Sequence, residues 1–286
     1  MPQDGYFDSG GVRLHYLDWG GDGPPLVLMH ATMFFGGIWG PVVQALAGRF
    51  RVITPDQRGH GDSARPEDGY TFETFARDLR ALLETLGLPP KADSPQAKGQ
   101  VLAAGHSSGG TTIALHAALY PGVIRRMALI EPILLAREFV RRGPNPMADQ
   151  ARKRRPTWPS RQEMFDSYRL RPPFNTWRED VLRLYVEGGT FSRDGDAADL
   201  KCRPEYEARF YEAVGALDPW PYLERIACPT LIAWAQSGRP PPVFDREAVG
   251  RAIAGSHALV MPGVSHFAPM EKPEEVASLL TQFLAD

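Results

Sequence analysis

A serine with a glycine two residues away on each side, Gly105-His106-Ser107-Ser108-Gly109, stands between the apolar run Val101-Leu102-Ala103-Ala104 and the helix-forming stretch 111–119. Strand, tight turn and helix, in that order, lift a serine hydroxyl clear of a sheet and present it as a nucleophile. The glycines let the chain bend sharply enough for the serine to take a strained conformation. The helix start behind it offers unpaired N–H groups and the positive end of a helix dipole to a developing oxyanion. The chemistry implied is acyl transfer through a covalent serine intermediate. Outside that setting the same five residues would be only a small-residue entry to a helix.

The rest of the chain supplies the elements that hold such a turn. Tyr6-Phe7-Asp8 and the alternating run from Val12 to Trp19 flank Ser9-Gly10-Gly11, which predicts a hairpin at a sheet edge. Leu26-Val27-Leu28-Met29 and Arg51-Val52-Ile53-Thr54 are short continuous apolar runs suited to strands covered on both faces. Helical spacing covers 38–46 and 72–86, the latter ended by Gly87 and Pro89-Pro90. Further strands are expected at Arg126-Met127-Ala128-Leu129-Ile130, Thr230-Leu231-Ile232-Ala233-Trp234 and Ala258-Leu259-Val260-Met261, with helices at 245–254 and 274–284. The alternation predicts an α/β fold, a mostly parallel sheet of about eight strands flanked by helices with right-handed crossovers.

About a hundred residues separate the strands at 126 and 230, too many for one connection. That segment is rich in arginine, proline and aromatic residues, with helical stretches at 161–170, 178–187 and 204–214. The reading is a helical cap, residues 133–217, inserted into a core domain made of 1–132 and 218–286. It would sit over the C-terminal edge of the sheet, where open α/β sheets bind ligands. Only the stretch 91–98 reads as a loose, low-complexity loop.

Bulk composition narrows the function classes. The 286 residues carry 32 lysines plus arginines against 34 acids, so no overall field draws the chain to nucleic acid or an anionic membrane. Two cysteines, Cys202 and Cys228, make no disulfide framework, and no Cys/His spacing suggests a metal. The expectation is no metal, no cofactor, no nucleic-acid or membrane partner, a small-molecule substrate, and a monomer or homodimer. With no basic-then-apolar N-terminal segment, the expected compartment is the cytoplasm.

Four motifs in order carry a resemblance: His30-Ala31-Thr32, Asp56-Gln57-Arg58-Gly59-His60-Gly61-Asp62-Ser63, Gly105-His106-Ser107-Ser108-Gly109-Gly110 and Gly263-Val264-Ser265-His266-Phe267. Together they resemble the α/β-hydrolase fold family, over nearly the whole chain apart from the cap, and within it the capped esterase, lactonase and carbon–carbon hydrolase group. Serine at 107 separates the chain from haloalkane dehalogenases and epoxide hydrolases, which need a carboxylate nucleophile. The resemblance implies a cofactor-free serine hydrolase cleaving a medium-sized apolar carboxylic ester or lactone. The alternatives are cleavage of a carbon–carbon or thioester bond with the same triad, or a non-catalytic small-molecule receptor.

Ser107 needs a base, and His266, in a glycine-bearing loop between the last strand and the last helix, is the one of the seven histidines that fits. His106 is expected to turn sideways into helix packing, and His60 to belong to a structural turn. The acid departs from the commonest family pattern: Ala233-Trp234-Ala235-Gln236-Ser237-Gly238-Arg239-Pro240 holds no carboxylate. Glu131, at the end of the strand after the nucleophile helix, is the favoured acid, with Asp245 as the alternative; some family members place their acid on that neighbouring strand. The oxyanion donors implied are the N–H groups of Ser108 and Thr32, with Ala31 where the family usually has glycine. His30, Met33, Phe34, Trp158, Phe174 and Phe267 are expected around the substrate. The cap arginines, Arg152 to Arg155 among them, read as a solvated face, with one of Arg152, Arg155, Arg161 or Arg171 able to turn inward onto a carboxylate. Cys202 reads as cap structure.

Overall fold

The structure is a computed structural model that describes residues 1–88, 101–140, 145–193, 195–237 and 244–285. The loop reading of 91–98 and the proline run 240–242 lie outside the described residues. Among them, eleven strands follow one another along the chain: β1 (Gln3–Ser9), β2 (Val12–Asp18), β3 (Pro25–Met29), β4 (Arg51–Pro55), β5 (Val101–His106), β6 (Ile124–Ile130), β7 (Thr157–Trp158), β8 (Thr190–Ser192), β9 (Ala198–Leu200), β10 (Thr230–Ala235) and β11 (His257–Met261). Eight form one sheet in the order β1-β2-β4-β3-β5-β6-β10-β11. Only β2 runs against the others.

The central strands carry apolar residues continuously because both their faces are covered. Successive side chains divide between two cores, as the strand period of two requires. Leu26, Leu28, Leu102, Ala104, Ile130 and Ala233 pack on one face, beside Val42, Val276 and Leu280 from the helices Gly40–Ala45 and Pro273–Leu284. Val27, Met29, Ala103, Leu129, Ile232 and Trp234 pack on the other, under the helices Phe72–Thr85 and Ser108–Leu119. The helix Ser108–Leu119 is buried on nearly every side, which suits its run of small and apolar residues. No helix among the described residues is long and apolar enough to cross a membrane.

The segment between β6 and β10 contains the helices Pro146–Arg152, Arg161–Tyr168, Glu179–Gly188 and Pro204–Ala216. It is not purely helical as the sequence suggests: β7, β9 and β8 form a small antiparallel sheet in that order. Strands of two or three residues are too short to show a period of two, so nothing local announces them.

The turn from β5 into the helix at Ser108 shows why two glycines surround Ser107. Neither is needed for an unusual φ; both are needed for space. A Cβ on Gly109 would lie 2.4 Å from the Met29 carbonyl oxygen and 2.5 Å from that of His30, and one on Gly105 2.6 Å from the Gly109 backbone. The unusual conformation belongs to Ser107 itself, at φ 55° and ψ −119°. Because the Met29 and His30 carbonyls are held in the sheet and its following loop, Gly109→Ala is expected to cost about 3 kcal/mol of stability as an overpacked site. A lowered denaturation midpoint would show it.

Candidate active site

Ser107, His266 and Glu131 arrive from three separate places, the turn after β5, the loop after β11 and the end of β6. The Ser107 hydroxyl lies 3.0 Å from His266 Nε2, and His266 Nδ1 lies 3.1 Å from Glu131 Oε2. An ionised carboxylate can only accept, so Nδ1 carries the imidazole proton and Nε2 is left to accept from the serine. Glu131 Oε1 accepts the Ala235 N–H at 2.7 Å, and the Arg246 guanidinium stands 3.7 Å from the same oxygen. Burial works against the charge on Glu131, but His266, the Ala235 N–H and Arg246 outweigh it and hold the carboxyl below its ordinary value. Asp245 is employed elsewhere, as the N-cap of the helix Arg246–Ala252, accepting the Ala248 N–H at 2.8 Å. Arg246, next to it in sequence, is the residue that reaches the site, and nothing in its local pattern marks it.

Backbone strain gathers at the same place. The non-glycine residues with positive φ among those described are Met33, Ala47, Ser107 and Glu131. Three of these four belong to the site, the usual location for conformations that the surrounding structure must enforce.

On the oxyanion side the two expected donors stand differently. Ser108 opens its helix, so its N–H has no acceptor within the helix. Thr32, read as the second donor, has its N–H committed: it donates to Ser108 Oγ at 2.8 Å, and the Thr32 hydroxyl lies 3.0 Å from the same atom. The physical reason is local, since a serine side chain follows the nucleophile and reaches the loop before any substrate can. The next N–H, that of Met33, donates to His60 Nε2 at 3.0 Å. His60 is therefore more than a turn residue. Burial lowers its pKa to about 3, which keeps Nε2 an acceptor. His30 is fully buried and accepts the Gln57 N–H through Nε2 at 3.0 Å, tying its loop to the one after β4.

His106 does not turn aside into helix packing. Its Nε2 donates to the His266 carbonyl oxygen at 2.7 Å, pinning the loop that carries the imidazole. A residue adjacent to the nucleophile in sequence thus positions a histidine 160 residues away.

A cavity of about 320 Å³ opens at Ser107 and His266. Met33, Phe34 and Phe267 line it, as the sequence suggests; His30, Trp158 and Phe174 do not. His30 lies behind the loop it braces, and the two aromatics line a second cavity of about 700 Å³ that shares Met33, Met147, Tyr211 and Phe267 with the first. Ile133, Leu135 and Val214 complete the apolar wall of the first. These come from the two ends of the segment 133–217, so their meeting is a tertiary fact with no local signature.

Other chemically tempting groups are occupied structurally. Cys202 is buried beside Glu207, and burial pushes its thiol up, away from the thiolate form. His15, Asp56 and Asp62 bring potential ligand atoms within 4.8 Å of one another. His15 Nδ1 and Asp56 Oδ2 are, however, bonded to each other at 2.7 Å, and Asp56 also accepts the N–H groups of Gly36 and Asp62. Arg58 forks onto Asp78 at 2.8 and 2.7 Å. These contacts tie loops together, as the motif from Asp56 to Ser63 suggests.

Known proteins share this fold. A 2-(acetamidomethylene)succinate hydrolase of Mesorhizobium japonicum is 24% identical, covering 97% of this chain and 93% of its own length. The crystal structure of E-2-(acetamidomethylene)succinate hydrolase superposes with a TM-score of 0.82 over the whole of both chains at 23% identity. The enol-lactonase from Burkholderia xenovorans LB400 superposes at 0.71 with 25% identity, covering 99% of this chain and all of that one. Residues 26–279 match the family described as "Alpha/beta hydrolase family". With eight strands in a mostly parallel sheet and the family match spanning most of its length, the chain belongs to the alpha/beta hydrolase family.

Proposed function

We propose that the protein is a serine hydrolase that cleaves a medium-sized, largely apolar carboxylic ester or lactone through an acyl-enzyme on Ser107. The observation that carries this reading is the continuous relay from Ser107 Oγ to His266 to Glu131, at 3.0 and 3.1 Å, opening onto an apolar cavity. His266 Nε2 takes the serine proton as Oγ attacks the carbonyl carbon, and returns it to the leaving alcohol. Water, deprotonated by the same nitrogen, then attacks the acyl carbon and frees the acid and the serine. Glu131 holds the imidazole in the required tautomer and stabilises its cation without taking the proton.

The developing oxyanion meets the Ser108 N–H directly. A second donor requires the Thr32 N–H to exchange Ser108 Oγ for the oxyanion, a swap that replaces a neutral acceptor by a charged one and is favourable on that ground. The segment 133–217 acts as the cap, since its side chains close the cavity over Ser107. Relatives named as a succinate-derivative hydrolase and an enol-lactonase support hydrolysis at a carbonyl carbon.

A panel of 4-nitrophenyl esters graded by acyl length, run beside simple lactones, tests the reading. Turnover peaking at a medium acyl chain and absent in Ser107→Ala is expected. Absence of Ser107-dependent turnover across esters and lactones would overturn it.

A further inference from the structure

The second cavity is bordered by Lys153, Arg154, Arg155 and Arg171, with Glu207 as its one carboxylate. Most other arginines of this segment are paired with carboxylates, although Arg161, which bonds Thr190, and Arg203 have none within ion-pair distance among the described residues. Arg152 turns outward to Glu205 and Glu212 at 2.8 and 2.7 Å, Arg169 meets Asp166 at 3.1 Å, and Arg183 meets Glu179 at 2.7 Å. Arg154 is consumed by Glu207 and reaches the hydroxyls of Tyr168 and Tyr185, forming a closed polar floor. The remaining three cations have no such partner: among the described residues no carboxylate lies within ion-pair distance of Lys153, Arg155 or Arg171. Arg155 spends only Nε, on the Thr157 carbonyl at 2.9 Å, and its guanidinium stacks 4.5 Å from the Trp158 ring, which leaves its Nη groups available.

Position gives this imbalance a meaning. Met33, Met147, Tyr211 and Phe267 line both cavities, so the cationic one adjoins the space at Ser107. We propose that the second cavity is a subsite for a carboxylate carried by the substrate at the end remote from the scissile bond. Arg155 and Arg171 provide guanidinium forks that fit a carboxylate in two-point fashion, and Lys153 adds charge at the rim. Trp158 and Phe174 supply apolar walls for the carbon chain between the two groups. The substrate class is then an ester or lactone of an acidic molecule, apolar at the reacting carbonyl and anionic at its far end. The inference rests on the hydrolase reading for calling the anion a substrate group, but its binding test does not need turnover.

Titration of adipate into the intact protein by calorimetry, with adipamide as the neutral control, is the direct test. Adipate is expected to bind and adipamide not, and the Arg155→Gln/Arg171→Gln protein is expected to bind adipate at least tenfold more weakly. Equal binding of adipate by that protein and the unaltered one, or no binding by the latter, would overturn the subsite. A second measurement needs no variant: the ratio of kcat/KM for mono-4-nitrophenyl adipate to that for its methyl ester should exceed ten at low salt and shrink as salt screens the cations. A ratio near one at all salt concentrations would contradict the proposal. If adipate binds as expected while neither ester turns over, the subsite stands and the hydrolase reading falls.

Discussion

A His266→Gln protein is expected to retain its fold and to lose about 10⁶ of its kcat toward a 4-nitrophenyl ester. The imidazole is the one group placed to accept the Ser107 proton, 3.0 Å away, and to return it to the leaving alcohol. Glutamine offers an amide that can do neither. The anchor of the loop survives, because His106 bonds the backbone carbonyl of residue 266 and not its side chain. Pairing the change with Ser107→Ala should cost almost nothing further, since residues that act as one unit are grossly non-additive. Steady-state kinetics on the two single variants and the double variant, with melting temperatures alongside, checks both statements.

Glu131→Gln carries the second large effect, a fall of about 10⁴ in kcat. The reason lies in which oxygen the backbone holds. The Ala235 N–H donates to Oε1 at 2.7 Å, so the variant's amide oxygen takes that position and its NH₂ group faces His266 Nδ1. A donor facing Nδ1 forces the imidazole proton onto Nε2, and a protonated Nε2 cannot accept from serine. Asp245→Asn should leave kcat within a few-fold and keep the helix cap, because asparagine caps as well as aspartate, whereas Asp245→Ala should lose about 1 kcal/mol of stability with turnover intact. The opposite pattern would move the acid to Asp245. The pH dependence has a definite sign. Glu131 is held below its ordinary value of 4.5, so the stability it contributes is complete above that value and is lost as pH falls through the lowered folded value.

What could be read from the chain follows how local each signal is. The eight strands of the main sheet, the turn at Ser107 and the loop of His266 are encoded by adjacent residues, in short apolar runs and glycine-bearing turns, whereas the order of the strands in the sheet is a tertiary fact. Glu131 is legible only through the family resemblance, since the stretch after β10 lacks the usual carboxylate and some family members carry it on the neighbouring strand end; the sequence leaves Asp245 open beside it. The other details depend on which distant groups meet. Ser108 Oγ captures the Thr32 N–H from 76 residues away, and His106 reaches the carbonyl of His266; the serine and histidine types permit these bonds but do not specify them. The fate of the aromatics depends on how residues 133–217 fold back. Trp158 and Phe174 face the cationic cavity, while Ile133 and Val214, unremarkable in sequence, face Ser107.

The central claim is that Ser107 is an activated nucleophile. Treating the intact protein with a fluorophosphonate and measuring its mass tests this without knowledge of the substrate. One adduct per chain, mapped to Ser107 and lost in both Ser107→Ala and His266→Gln, is the expected result. A folded protein that takes no label, or takes it at another residue, would contradict the account.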